Sequence, residues 1–207
     1  MWFRTATAST SASTAEAPRK RAAFAGLGLL VCAVVAATPA GAGLKLESFR
    51  GHLAVGYGKL VDEGAPAGSI SFSGGVEYPI SSRWTTGVEV GYWLLGTRFE
   101  ERGSLSAEAD YSAFEALALA RWMMPNAPLE IALGPGVMNA RADLTSVGVA
   151  GFDDLAIEQT VPSAALSITA IQRKPAPVRV GFELSSRMAW LTDTTWTLLA
   201  ARLAIHY

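Results

Sequence analysis

The chain has 207 residues, half of them apolar, and a formal net charge of −1 at pH 7. That composition excludes a disordered chain, and the near-zero charge leaves no electrostatic drive toward nucleic acid. The length suits one domain of ordinary size.

Residues 1–42 read as a targeting segment. A Ser/Thr/Ala-rich lead up to Pro18 precedes the basic cluster Arg19, Lys20, Arg21 and then the uncharged run AAFAGLGLLVCAVVAA at 22–37. The run is shorter than the roughly 20 apolar residues a spanning helix needs. Small residues follow at Ala40, Gly41 and Ala42, so signal cleavage is expected after Ala42, with Ala40 the alternative. An uncleaved anchor helix is the competing reading. The lead is long for a signal peptide, and a start codon further along would account for it. Cys32 is the only cysteine and lies inside the apolar run, so the mature part 43–207 is expected to hold no disulfide and no thiol chemistry.

From there on the recurring pattern is alternation with period two, the mark of a strand with unlike faces. In FRGHLAVGYGK (49–59), Phe49, Leu53, Val55 and Tyr57 oppose Arg50, His52, Ala54, Gly56 and Gly58. In SISFSGGVEYP (69–79), Ile70, Phe72, Val76 and Tyr78 oppose serines, Gly75 and Glu77. WTTGVEVGYWL (84–94) sets Trp84, Thr86, Val88, Val90, Tyr92 and Leu94 against Thr85, Gly87, Glu89, Gly91 and Trp93. YSAFEALALARWM (111–123) places Phe114, three alanines and Trp122 opposite Glu115, Leu117, Leu119 and Arg121; its alanines would also allow a helix. LEIALGPGVM (129–138) sets Leu129, Ile131, Leu133 and Val137 against Glu130, Ala132, Gly134 and Gly136, and Pro135 predicts a bulge or strand end. A sixth strand is expected at about 160–171, with Ala164, Leu166, Ile168 and Ala170 on the apolar face. VRVGFELSSRM (178–188) opposes Val178, Val180, Phe182 and Leu184 to Arg179, Gly181, Glu183, Ser185 and Arg187. The eighth, TLLAARLAIHY (197–207), carries Leu199, Ala201, Leu203, Ile205 and Tyr207 on one face and Arg202 and His206 on the other.

The connections alternate too. Turn formers cluster at 79–83, 125–128 and 172–177, and longer loops are expected at about 59–68, 95–110, 139–157 and 189–194. Short turns on one side and long loops on the other predict an all-β, eight-stranded antiparallel up-and-down transmembrane barrel, with both termini on the short-turn, periplasmic side. The polar faces are crowded with glycine, serine and alanine, which suit a cramped lumen, whereas a soluble lipocalin-like barrel would turn its apolar faces inward. Tyr57, Tyr78, Trp84, Tyr92, Trp122, Trp196 and Tyr207 are expected to form membrane-interface girdles. The inward charges are Glu77, Glu89, Glu115, Glu130 and Glu183 against Arg50, Arg121, Arg179, Arg187 and Arg202, five of each sign, joined by His52 and His206. Opposite charges in a narrow lumen should pair, because unpaired ones cost several kcal/mol each.

On the GGVEYPISSRWTTGVEVGYW hairpin, the GPG strand and the terminal alternation ending in Tyr207, the stretch 43–207 resembles the small outer-membrane β-barrels of the OmpA transmembrane-domain and OmpX kind. The resemblance implies an outer-membrane location and contact with its lipid and lipopolysaccharide. It also implies insertion by the outer-membrane assembly machinery, which reads a C-terminal strand ending in an aromatic. Unlike full-length OmpA-type proteins, no peptidoglycan-binding domain is expected after the barrel. The expected role is structural or one of interaction, as a monomer without cofactor or metal, and not as an open porin. The alternatives are a lipid-modifying barrel enzyme, for which the two histidines are the candidates, and a soluble periplasmic barrel. No His-x-Ser arrangement like that of the lipid A deacylase barrels is present. Among loop residues, Phe99 and Phe152 are the first to test for binding.

Overall fold

The computed structural model describes residues 49–61, 65–102, 105–147, 155–172 and 178–207; the predicted leader 1–42, with Ala42, and the loop residue Phe152 lie outside them. Eight strands follow one another: β1 Arg50–Leu60, β2 Ser69–Pro79, β3 Trp84–Arg102, β4 Leu105–Met123, β5 Leu129–Val147, β6 Leu155–Ile171, β7 Arg179–Trp190 and β8 Thr195–His206. Every strand pairs antiparallel with its chain neighbours, and β8 returns to β1, so the sheet is a closed barrel. In the seam His52 lies opposite His206 and Leu53 opposite Ile205. Gly51 and Tyr207 exchange backbone hydrogen bonds of 2.8 and 3.0 Å at its end.

The period-two alternation sets the two faces. Leu53, Val55, Val90, Leu133, Phe182, Leu184 and Leu203 are exposed on the outside, while Glu89, Glu115, Glu183, Arg187 and Arg202 are buried inside. An apolar surface of that extent would not persist in water, where exposed patches rarely exceed a few hundred Å². It is the inside-out arrangement of a barrel solvated by hydrocarbon. The alanine-rich 111–123 segment belongs to β4, paired on both sides. A helix there would leave β3 and β5 with open edges in lipid and carry Glu115 and Arg121 out of the lumen.

Strand lengths are uneven. β3, β4 and β5 have 19 residues each and β6 has 17, against 11 or 12 in β1, β2, β7 and β8. The loops expected at 95–110 and 139–157 are therefore mostly strand: Thr97 pairs with Asp110, and Arg141 with Glu158. Extending each hairpin gives every added residue a ladder partner, which a long loop would have to find in water. Four strands thus rise as a wall at the end away from the short turns.

Two local features depart from simple alternation. Between Leu94 and Gly96 the β3–β4 register shifts, and Gly96 has φ of +90°, a backbone conformation favouring glycine. Trp93 and Leu95 are buried on the inward parity of β3, and the bulge passes that parity to Gly96, so that Thr97 and Phe99 face outward. Pro135 makes neither a bulge nor a strand end. β5 runs through it, and its pairing with β4 skips from Ala120–Leu133 to Leu117–Gly136 without a shift of register. The proline lacks an amide donor, so the ladder has a gap, and the flanking Gly134 and Gly136 carry no Cβ that would strike the Ala118 and Ala116 carbonyls of β4.

Trp196 is a correction. It is not in an interface girdle: its side chain points into the barrel, is 8% exposed, and lies 6.1 Å from the Tyr111 ring. It shares the inward parity of Leu198, Ala200 and Arg202 on β8. The other predicted girdle residues do lie on the outer parity: Trp84 and Trp122 are 6.3 Å apart near the short turns, Tyr78 packs on Phe49 at 5.4 Å, and Tyr92 on Phe72 at 5.5 Å. Tyr57 and Tyr207 are exposed on the same face. In single-tryptophan variants, brominated lipid should quench Trp122 strongly and leave Trp196 nearly unquenched; equal quenching would return Trp196 to the outer face.

Candidate functional site

The lumen holds the chain's concentration of buried charge, and it has two storeys. Toward the short turns it is polar. Glu89, 2% exposed on β3, is the hub: Arg187 Nη2 donates to its Oε1 at 2.9 Å, Arg121 Nη2 to its Oε2 at 3.3 Å, and Arg202 Nη2 lies 3.6 Å from Oε1. Arg187 Nε also donates to Glu115 Oε1 at 3.1 Å. Arg202 donates to Glu183 Oε1 through Nη2 at 2.5 Å and Nε at 3.1 Å, and to Ser73 Oγ through Nη1 at 2.9 Å. Arg121 forms an ion pair with Glu77 through Nε. Several of these links join strands that are not neighbours in the sheet: β7 to β3 and β4, β8 to β2, and β4 to β2.

His52 Nε2 is 3.2 Å from Glu89 Oε2, its Nδ1 is 3.9 Å from Glu77 Oε1, and its ring stacks on His206 at 5.6 Å across the seam. Glycine makes room for this crowd. A Cβ on Gly75 would stand 3.1 Å from His52 Nδ1, and one on Gly91 would stand 2.8 Å from Glu115 Oε1.

Not all predicted lumen charges share that interior. The five glutamates are buried, but of the arginines only Arg121, Arg187 and Arg202 are. Arg50 and Arg179 are the first residues of β1 and β7, so they stand at the short-turn rim. Arg50 is exposed, and Arg179 is partly exposed with its Nη1 3.9 Å from Glu130 Oε1. The buried set therefore carries more carboxylates than guanidiniums, unlike the five-to-five balance of the sequence.

The upper storey is apolar. Trp93, Leu95, Met138, Trp196 and Leu198 form a buried cluster with Leu60 and several alanines, and Tyr111, Ala65 and Leu191 pack against it. The Arg202 guanidinium carbon lies 5.7 Å from the Trp93 ring, a cation–π contact between the storeys. The alternation pattern contained this plug: Trp93 and Leu198 already sat at inward parity, and assigning Trp196 by parity rather than as an aromatic near a strand end would have completed it. Side chains of the described residues fill the lumen from salt bridges to plug. Among the described residues, no group of three or more metal-ligating side chains is gathered.

No protein-family model and no curated protein sequence matches the chain. Solved structures do. Neisserial surface protein A (NspA) superimposes with a TM-score of 0.52 at 13% identity, covering 77% of this chain and 96% of that one. Ail, the attachment invasion locus protein of Yersinia pestis, in complex with the heparin analogue sucrose octasulfate, gives 0.53 at 12% identity over 77% and 99%. The fold is that of the small eight-stranded outer-membrane barrels. At such identities the likeness speaks for the barrel and not for the roles of its lumen residues.

For a barrel of this fold, removing the hub should be costly. Glu89→Ala takes one acceptor from Arg187 and one from Arg121, which keep Glu115 and Glu77, so the cost should be about 3 kcal/mol, the low end for losing one partner of a buried ion pair. Urea unfolding of the refolded barrel in lipid vesicles should report a loss of that order, with Glu89→Gln falling between. A loss below about 1 kcal/mol for the alanine variant would mean that the network adds little to stability.

Proposed function

We propose that the protein resides in the outer membrane as a closed, monomeric barrel with a structural or interaction role, its short turns and Tyr207 in the periplasm and its raised wall at the cell surface. The observation that carries this reading is a change of polarity along the outer face of the long strands. From Phe114 to Trp122 the outward residues of β4 are Phe, three Ala and Trp, a nine-residue stretch that fits the roughly 9–11 residues of a tilted membrane strand. Beyond Phe114 they become Ser112, Asp110 and Glu108, paired with Arg141, Asp143 and Thr145 of β5. Arg141 Nε bonds both carboxylate oxygens of Asp143 at 2.9 Å, and Asn139 Nδ2 donates to Glu158 Oε1 at 2.7 Å and Thr160 Oγ1 at 3.0 Å. Such a face belongs in water, above the hydrocarbon.

The wall is then a rigid platform presented to the surroundings, with Phe99 69% exposed on its outer side and Ile157 and Leu155 exposed toward its inner side. Rigid elements lifted clear of the lipid suit binding, and the filled lumen suits neither a pore nor a substrate tunnel. Outer-membrane lipid and lipopolysaccharide are the proposed surroundings of the apolar belt, and the outer-membrane assembly machinery the proposed reader of β8. Catalysis is not part of the proposal: His52 and His206 are held in the stack and its glutamate partners.

Protease added to intact cells should cut the β3–β4 and β5–β6 connections and leave the barrel core protected. Cleavage seen only after cell rupture would overturn the assignment of sides. In planar bilayers the purified barrel should give no steady conductance, whereas lasting porin-like steps would refute the closed lumen. Unchanged electrophoretic mobility on heating a verified refolded sample would argue against a membrane barrel altogether.

A further inference from the structure

The lipid-facing surface is not evenly ridged. Across five neighbouring strands, one register row is built of large side chains, Leu203, Val55, Phe72, Tyr92 and Phe114. The next row toward the short turns runs Ile205, Leu53, Gly74, Val90 and Ala116. Gly74 and Ala116 leave that second row low beside the aromatic ridge. A groove of about 440 Å³ lies there, floored by Gly74 and flanked by Leu53, Val90, Phe72, Tyr92 and Phe114. A Cβ on Gly74 would meet only the tip of the Leu53 side chain, at 2.9 Å, and the His52 carbonyl at 3.6 Å. The glycine is therefore not demanded by backbone crowding, unlike the inward Gly56, whose added Cβ would strike the Ala201 carbonyl oxygen.

We propose that this groove seats one acyl chain of a bilayer phospholipid, held as a fixed partner of the barrel rather than as passing solvent. The inference rests on the membrane reading given above. Three observations select the occupant. The lining is almost wholly apolar, with Ser73 Oγ turned inward to Arg202 and Tyr92 the one other side chain that carries a polar group, so a polar ligand finds little to bond. The groove wraps around the barrel over five strands from β8 to β4, about 19 Å at the usual strand spacing. A second barrel is a convex cylinder and touches another along a narrow line, so it cannot follow a groove that curves with the circumference. A flexible hydrocarbon chain can, and the aromatic ridge of Phe72, Tyr92 and Phe114 gives it a wall against which to lie.

The test is native mass spectrometry of the full barrel, refolded into phosphatidylethanolamine and phosphatidylglycerol vesicles and released into mild detergent. One phospholipid should stay bound per wild-type barrel. Gly74→Phe, which fills the floor, should cut its retention at least tenfold. Val90→Phe fills the same row from a position that already faces lipid, and serves should Gly74→Phe fail to fold. Leu184→Phe, outside the groove on β7, should retain the lipid as wild type does. No retained lipid on the wild type, or equal retention in both groove variants, overturns the proposal. So would a wild-type dimer that the groove variants abolish, which would assign the groove to a second copy. The heat-dependent gel shift of each sample is read alongside. Lost lipid with an intact shift strikes the groove alone; a shift absent from the wild type as well strikes the membrane reading.

Discussion

Hydrocarbon offers no partner to a backbone amide or carbonyl, and the architecture follows from that. A sheet in lipid must close, so β8 returns to β1 along a seam running from His52–His206 to Leu60–Leu198. Closing only eight strands leaves a lumen just wide enough for side chains to fill. Two kinds of filling do so at different heights. Glutamates and arginines, made to fit by inward glycines, occupy the part toward the short turns. Tryptophans, leucines and a methionine occupy the part beneath the wall. The second filling is ordinary close packing; the first depends on each charge meeting its opposite.

The division of labour around the circumference is as uneven as the division along the axis. β1, β2, β7 and β8 end near the apolar plug, whereas β3 to β6 continue. The barrel consequently has a tall side and a low side, and the connections 65–68 and 191–194 lie over the low one. Tyr57 donates its hydroxyl to the Ala67 carbonyl, and Thr192 hydrogen-bonds to Gln159 of β6 at 3.3 Å through its amide. The first contact ties the β1–β2 connection to β1, and the second draws the 191–194 connection toward β6 at the base of the wall. An approaching partner meets two different surfaces depending on its direction.

Much of this was legible in the sequence because period-two patterning is a strict code in a closed barrel. The faces of β7 and β1 could be read from Val180, Phe182 and Leu184 and from Leu53 and Val55, since each must face lipid, and eight such segments gave the strand number. The wall was not legible. Above the membrane the outer face turns polar, as at Asp110 and Asp143, and strand residues there look like loop residues. Trp196 was misplaced for a related reason: an aromatic near a strand end fits a girdle by composition, and only its parity with Arg202 tells otherwise. The rim positions of Arg50 and Arg179 depend on where β1 and β7 begin, and alternation does not fix strand ends. The bulge at Leu94–Gly96 left its trace in the adjacent bulky pair Leu94 and Leu95, followed by glycine.

The cross-lumen bonds bear on how such a cylinder is assembled without error. If the seam closed two residues out of step, every side chain would keep its face, because alternation repeats after two. Lipid would meet the same apolar belt and could not distinguish the faulty barrel from the right one. The interior could. A two-residue slip of β8 against β1 moves Arg202 by about 7 Å relative to β2, which parts its Nη1 from Ser73 and removes its Nη2 from the neighbourhood of Glu89. Charge in the lumen thus acts as a proofreader of alignment, rejecting mispairings to which the hydrophobic pattern is blind.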